Sequence, residues 1–104
     1  MLIFNTTFNI NKSIAKKCEE YLEHELIPKL LETELFSKAI FAEVLAEEFS
    51  EGKTFSLQLF CPSKAHLSQF KKSHNHYITD MADFYKGKLV YFQTSMLVMS
   101  IKNC

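Results

Sequence analysis

Apolar and polar residues alternate along four separate stretches of the chain, and this period of two predicts β-strands. The stretches are residues 2–10, 38–49, 54–61 and 89–101. In the second stretch, residue propensity favours a helix over AEVLAEEF. The turn sequence Ser50-Glu51-Gly52-Lys53, which leads directly into the third stretch, favours a strand and a hairpin instead. The last stretch is mostly apolar on both faces.

Two further stretches repeat their apolar residues at the helical period of 3.6. The first, which Asn11 or Ser13 can cap, consists of Ile14, Cys18, Tyr21, Leu22 and Leu26. Pro28 cannot donate a helical hydrogen bond and predicts a kink or a new short helix. The second is capped by Ser63, is followed by Gly87, and consists of Leu67, Phe70, His74, Tyr77, Ile78, Met81 and Phe84.

The resulting order is strand, helix, strand, strand, helix, strand. It predicts one domain over residues 1–104 with an α+β, ferredoxin-like βαββαβ sandwich, in which two helices cover one face of a four-stranded antiparallel sheet. The residues predicted to face the helices are Phe4, Phe8, Ile10, Val44, Phe55, Leu57, Leu59, Val90, Phe92 and Val98. Those predicted on the other face are Ile3, Asn5, Thr7, Asn9, Phe41, Glu43, Leu45, Ser56, Gln58, Phe60, Tyr91, Gln93, Ser95, Leu97 and Met99. A register shift of one residue would exchange the two faces.

The composition excludes several activities that occur on this topology. The chain has no Arg, which an acylphosphatase-like site needs, and no Trp, which the haem-degrading set needs. It also lacks the CxxC of heavy-metal domains and has only two glycines, too few for a phosphate-binding loop. A net charge of zero argues against nucleic acid as a partner. His66 and His74 lie two turns apart, so we predict no metal site, and we expect no cofactor.

The cysteines and the apolar runs bear on location. Three cysteines, without a CxxC pair and without a recognisable signal peptide, are typical of a reduced cytoplasmic compartment. No apolar run approaches the roughly 20 residues that span a bilayer, so no membrane association is expected.

The segments NTTFNINKSI, LIPKLLETELFSKA, TFSLQLFCPSKAHLSQF and FQTSMLVM together resemble small bacterial proteins of the domain of unknown function 4286 family. The resemblance covers nearly the whole chain, and its most specific part is the junction that holds Gln58, Cys61, Pro62, Lys64 and Leu67. The chain departs from the family at Glu34, where the Thr-Gly-x-Phe stretch of the family has glycine. The resemblance implies the dimeric α/β-barrel superfamily, in which two sheets of a homodimer enclose a pocket. It implies no activity and transfers no catalytic residue.

The second sheet face combines amides, hydroxyls and large apolar groups, which suits a wall partly covered by a partner and partly lining a wet cavity. We therefore expect a cytoplasmic homodimer that binds a small neutral organic molecule between its sheets. The predicted contacts are Asn5, Thr7, Asn9, Phe41, Glu43, Gln58, Phe60, Tyr91, Gln93 and Ser95.

Two other hypotheses fit the same residues. One is a cofactor-independent oxygenase- or isomerase-like enzyme in which Glu43 or Tyr91 handles a proton. Against it, Glu43 also fits a solvated strand glutamate. The other is a structural or interaction dimer whose second face is all interface, with its amides engaged in cross-strand hydrogen bonds.

Overall fold

The computed structural model of the protein describes residues 1–45 and 52–104. The strands are β1 (Leu2–Asn11), β2 (Lys38–Val44), β3 (Gly52–Cys61) and β4 (Leu89–Leu97). The helices are α1 (Ala15–Tyr21), α2 (Ile27–Glu32), α3 (Lys64–Ser73) and α4 (His76–Phe84), with a π-helical segment (Leu22–Leu26) between α1 and α2. The strands form one antiparallel sheet in the order β2-β3-β1-β4. This is the predicted ferredoxin-like α+β fold.

The two central strands supply most of the sheet side of the core. Residues that pair directly across an antiparallel ladder point to the same face. Phe4 pairs with Leu59 and Phe8 pairs with Phe55, and all four side chains are buried. Phe4 contacts Phe70 of α3 edge-on at a centroid distance of 5.7 Å, which identifies this face as the one under the helices. The predicted faces of β1 and β3 are therefore confirmed.

The edge strand β2 faces the opposite way from the prediction. Phe41 pairs with Leu57 and stacks on Phe55 at a centroid distance of 5.4 Å, so it faces the helices. Glu43, two residues on, shares that face. Val44, predicted to face the helices, lies on the other side of the sheet and is 46% exposed.

The other edge strand, β4, shows the same reversal. Tyr91 pairs with the buried Phe8 and faces the helices, as do Gln93 and Ser95 farther along the strand. Val90 and Phe92, predicted on the helix face, point away from it and are 65% and 62% exposed. Both errors have one cause: each edge strand has apolar side chains on both faces, so alternation alone does not decide its register.

The first helical region contains the irregularity that Pro28 predicts, in a different form. The helix does not break; it widens over Leu22–Leu26, and the Ile27 N–H donates to the Leu22 carbonyl five residues back. A proline ring clashes with the carbonyl four residues earlier, here that of His24, and a wider turn relieves the clash. The predicted cap is wrong, because α1 has no side-chain cap. The Asn11 carboxamide oxygen instead accepts from Ser13 in a local turn.

The second helical region is divided at residues 74–75 into α3 and α4. The Ser63 cap is confirmed, since its hydroxyl accepts a hydrogen bond from the His66 N–H. At the division, the Asn75 and Gln93 side-chain amides bond to each other, and the Gln93 amide also donates to the buried Thr6 hydroxyl at 3.3 Å. These bonds attach the helix break to the sheet.

The ends of the predicted strands also differ from the observed ones. β4 ends at Leu97, which pairs with Leu2 at the start of β1 and thus lies on the helix side. Val98 and Met99 lie outside the strand, although the Val98 N–H still donates to the Met1 carbonyl at 3.0 Å. Leu45 follows the end of β2, and the predicted continuation over residues 46–49 and the first half of the turn, Ser50 and Glu51, fall outside the described residues. Across residues 1–45 and 52–104, no helix has the length and apolar content to cross a membrane.

Candidate functional site

The sheet face without helices, here called the open face, is built from alternate residues of all four strands. The pairing places its side chains in four rows across the sheet. In the order β2, β3, β1, β4, the rows are Lys38, Phe60, Ile3 and Met96; Ile40, Gln58, Asn5 and Thr94; Ala42, Ser56, Thr7 and Phe92; and Val44, Thr54, Asn9 and Val90.

The middle of the open face is polar and internally hydrogen-bonded. The Ser56 hydroxyl donates to the Asn5 carboxamide oxygen at 2.8 Å, and the Asn5 amide donates to the Thr7 hydroxyl at 3.0 Å. One row away, the Asn9 amide donates to the Thr54 hydroxyl at 3.0 Å. These contacts fix the orientation of both asparagines, so the central strands present an ordered polar surface. The predicted cross-strand bonding of the amides is present at two of these contacts.

Gln58 differs from its polar neighbours. Its side chain is half-buried between Ile40 and Asn5 in the same row, and it makes no hydrogen bond within the part of the chain that the structure describes. A carboxamide offers two donors and an acceptor with two lone pairs. Gln58 is therefore the group on this face with the most hydrogen-bonding capacity left for a partner.

One end of the open face is closed by an aromatic residue. Phe60 is 9% exposed although it lies on the uncovered side of the sheet. The Lys38 ammonium group lies over its ring, 4.5 Å from the centroid, so the lysine side chain covers it. This pair borders the polar middle, with the lysine side chain rather than the ring exposed at the surface.

The margins of the open face are mostly apolar. The exposed large apolar side chains on the two edge strands are Ile40, Val44, Val90, Phe92 and Met96, and the exposed polar ones are Lys38 and Thr94. The exposure of the apolar side chains ranges from 38% to 65%. Apolar groups clustered at the rim of one face are typical of a surface that a partner covers.

The structure divides the ten predicted contact residues into two groups of five. Asn5, Thr7, Asn9, Gln58 and Phe60 lie together on the open face. The predicted face is wrong for the other five, because the register places them on the helix side of the sheet: Phe41, Glu43, Tyr91, Gln93 and Ser95.

The two residues considered for proton transfer belong to the second group. Glu43 lies 3.9 Å from the Lys53 ammonium group, and both side chains are nearly half exposed. Tyr91 is half-buried against the core. Neither side chain can line a space between two open faces, because the sheet itself separates them from it.

The side chains that replace them on the open face are Val90, Phe92 and Val44, which the alternation had assigned to the core. A signal for them was available in the sequence. Residues 89–92 are all apolar or aromatic, so the strand had to expose large apolar groups whichever register it adopted.

The thiols do not add reactive chemistry to this face. Burial raises the pKa of the Cys18 thiol and of the Cys61 thiol, so both remain protonated at neutral pH. Cys61 donates to the Leu35 carbonyl at 3.5 Å, as a structural thiol does. Within residues 1–45 and 52–104, no cluster of three or more His, Cys, Asp or Glu side chains could hold a metal ion.

Comparison with known proteins identifies a family and the fold. Residues 1–99 match the model of the family described as Domain of unknown function (DUF4286). No match was found among curated proteins.

Solved structures resemble the chain over nearly its whole length. One is a candidate antibiotic biosynthesis monooxygenase from Bacillus cereus, with a TM-score of 0.71, 13% identity, and coverage of 99% of this chain and 97% of the other. Another is a dimeric ferredoxin-like protein from an uncultured marine organism, with a TM-score of 0.65, 12% identity and full coverage of both chains. A second dimeric ferredoxin-like protein from an uncultured marine organism has a TM-score of 0.62 and 12% identity, and covers 96% of this chain and 97% of its own. Identities this low establish similarity of fold alone.

Proposed function

The chain belongs to the DUF4286 family, and from its fold and open face we propose that it is a homodimer that binds a small neutral organic molecule between two facing sheets. The observation that carries the proposal is the arrangement of the open face, in which a hydrogen-bonded polar middle is surrounded by apolar margins. The margins supply contact between protomers, and the middle lines the enclosed space.

The margins favour a second copy of this chain as the partner. Phe92 and Ile40 lie on opposite edges of the sheet, on the same face. Burial of apolar area stabilises association by about 25 cal/mol per Å². A second copy meets these margins with identical ones, as a two-fold interface requires. Two similar structures are described as dimeric, which supports the same assembly.

The middle favours an uncharged ligand. The side chains in its two central rows are amides, hydroxyls and apolar groups, with Lys38 at the end of the face over Phe60. Enclosing an ionised ligand among such groups is costly without an opposite charge. Gln58 supplies the amide that orients the ligand, and Phe60 with the Lys38 side chain over it closes one end of the space.

We do not extend monooxygenase activity to this chain. Glu43 and Tyr91, the residues considered for proton transfer, lie on the helix side of the sheet. Binding is therefore the function that the open face supports. The proposed location is the reduced cytoplasm, in keeping with the three unpaired cysteines.

The assembly is tested by sedimentation equilibrium at micromolar concentration. The wild-type protein should sediment as a dimer, and Phe92→Lys should sediment as a monomer, because it places a charge inside the proposed interface. Phe84→Lys is the matched control, since Phe84 is 79% exposed on α4, on the opposite side of the molecule. A monomeric wild-type protein, or equal effects of both substitutions, would contradict the proposed dimer.

The ligand is tested by native mass spectrometry of the purified dimer. We expect an additional neutral mass on the wild-type protein that Gln58→Leu loses while remaining dimeric. Gln69→Leu is the control, because Gln69 is exposed on α3 and its amide bonds to the neighbouring Ser73 hydroxyl. A crystal structure with the space between the sheets filled by side chains would leave an interaction dimer without a ligand.

A further inference from the structure

A groove opens on the helix side of the molecule, away from the open face. It lies between the first helical region and α4, has a volume of about 570 Å³ and is open to solvent along one side. This volume is within the range of small-molecule sites. The groove is lined by Tyr21, Lys29, His76, Tyr77, Asp80, Met81, Phe84 and Tyr85.

The walls of the groove are aromatic. Tyr21 comes from the first helical region, and Tyr77 and Tyr85 come from α4 and the residue after it. The side chain of Phe84 is 79% exposed at the rim and contacts the Tyr85 ring edge-on at 4.8 Å. Rings presented from both sides favour a planar apolar group between them. This is the feature that selects an aromatic ligand.

The groove also carries one charge of each sign. Lys29 of α2 lies with its ammonium group 5.1 Å from the centre of the Tyr77 ring, and Asp80 lies on α4. Neither side chain forms an ion pair with any other residue in the described part of the chain. Lysine offers three donors to a carboxylate, and aspartate accepts from an ammonium group. A ligand that carries both charges meets both requirements.

The half-buried Tyr85 adds a neutral hydrogen-bonding group to the groove. Burial raises the pKa of the Tyr85 phenol, with smaller contributions from Cys18 and Tyr21. The phenol therefore keeps its proton at neutral pH and is available as a donor. The groove thus combines aromatic walls, a cation, an anion and a hydroxyl.

We propose that this groove binds a small zwitterionic aromatic molecule, the chemistry of a free aromatic amino acid. The carboxylate of the ligand pairs with Lys29, its ammonium group pairs with Asp80, and its ring packs among the tyrosines and Phe84. The site is formed within one protomer and is independent of the open face.

The test is a ¹H–¹⁵N NMR titration of the full chain with L-phenylalanine. We expect saturable shifts at the amides of Tyr21, Tyr77 and Tyr85. Each removal of one charge should weaken binding about fivefold, the effect of losing one exposed ion pair. Lys29→Met and phenylalaninamide each remove one partner of the pair between Lys29 and the ligand carboxylate. Asp80→Asn and 3-phenylpropionate each remove one partner of the pair between Asp80 and the ligand ammonium group.

The controls separate this site from a nonspecific surface. Lys72→Met on α3 and Asp83→Asn on α4 remove exposed charges that do not line the groove, and both should leave the affinity unchanged. Phenylalaninamide lacks the carboxylate, as does the first residue of a peptide. Weaker binding of phenylalaninamide than of L-phenylalanine therefore distinguishes a site for a free amino acid from a site for a peptide N-terminus. No shift up to ~10 mM, shifts confined to β-strand amides, or affinities indifferent to Lys29→Met and Asp80→Asn would each overturn the proposal.

Discussion

Glu34 is held in a backbone conformation that suits a different residue. Its φ is +63°, in the left-handed region, at the point where the chain leaves α2. A side chain other than that of glycine is strained there by about 1–2 kcal/mol. The glycine expected at this place in the Thr-Gly-x-Phe stretch of the family therefore has a structural explanation. The same turn is formed here at a cost in stability.

Replacing Glu34 by glycine should therefore stabilise the protein. We expect Glu34→Gly to raise the free energy of unfolding by about 0.5–1 kcal/mol, the relieved strain less the greater entropy of glycine in the unfolded chain. The measurement is the midpoint of urea unfolding. Glu20→Gly, at an exposed position where α1 continues into the π-helical segment, is the control and should lower the stability by roughly the same amount. A loss of stability in Glu34→Gly would contradict this account of the turn.

The buried thiols predict a pH dependence of stability. Because burial raises the pKa of Cys18 and of Cys61, the unfolded chain loses these protons before the folded chain does. The free energy of unfolding should therefore be unaffected by them at neutral pH. It should fall above about pH 8.5, by at most ~1.4 kcal/mol per pH unit for each thiol.

The contribution of one thiol is separated by comparing variants. Cys18→Ala should have a shallower decline in urea-unfolding free energy above about pH 8.5 than the wild type. Cys104→Ala should keep the wild-type slope, because Cys104 is exposed near the chain end. Identical slopes in Cys18→Ala and the wild type would show that Cys18 does not titrate differently in the folded state.

At the scale of elements, the π segment keeps one side of the first helical region buried. Cys18, Leu22, Leu26 and Leu30 are all fully buried and spaced four residues apart. In a regular helix of 3.6 residues per turn, each such step rotates the stripe by about 40°. The wider turn over Leu22–Leu26 takes an extra residue and rotates the stripe back toward the sheet. The segment that accommodates Pro28 thus also preserves the packing.

The amide pair between Asn75 and Gln93 connects the break in the second helical region to β4, and it predicts a loss in stability. Gln93→Ala should lower the free energy of unfolding by about 1–3 kcal/mol, because the buried Thr6 hydroxyl loses the donor that it has in the wild type. Gln69→Ala is the control, since the Gln69 amide bonds to the exposed Ser73 hydroxyl. Equal unfolding midpoints for the two variants would contradict a structural role for the pair.

The sequence predicted the central elements better than the edges. In β1 and β3, polar and apolar residues alternate because one face is buried in the core and the other carries amides and hydroxyls. The faces of Phe4, Phe55 and Asn5 were therefore predicted correctly. In β2 and β4, Ile40, Phe92 and their neighbours are apolar on the uncovered face. The more polar set of β4, which includes Gln93 and Ser95, lies on the helix side, where both side chains are hydrogen-bonded. Half of the candidate site was misplaced for that reason.

At the scale of the whole molecule, the proposed dimer makes stability depend on concentration. If two protomers unfold together with dissociation, a tenfold increase in protein concentration stabilises the folded dimer by about 1.4 kcal/mol. The melting temperature should then rise by about 3 °C for each tenfold increase. Differential scanning calorimetry at several protein concentrations measures this change in melting temperature. Phe92→Lys should melt at a temperature independent of concentration, and a concentration-independent wild type would contradict the dimer.

The order of strands and helices, the absent residue types and the two faces of the central strands were determined by the sequence alone. They depend on local periodicity and on which residue types are present, and both can be read directly from the sequence. The faces of β2 and β4, the widening of the helix around Pro28 and the groove between the helical regions were decided only by the tertiary structure. Each depends on which distant part of the chain packs against an element. When an element is apolar on two sides, its own sequence does not indicate which side becomes buried.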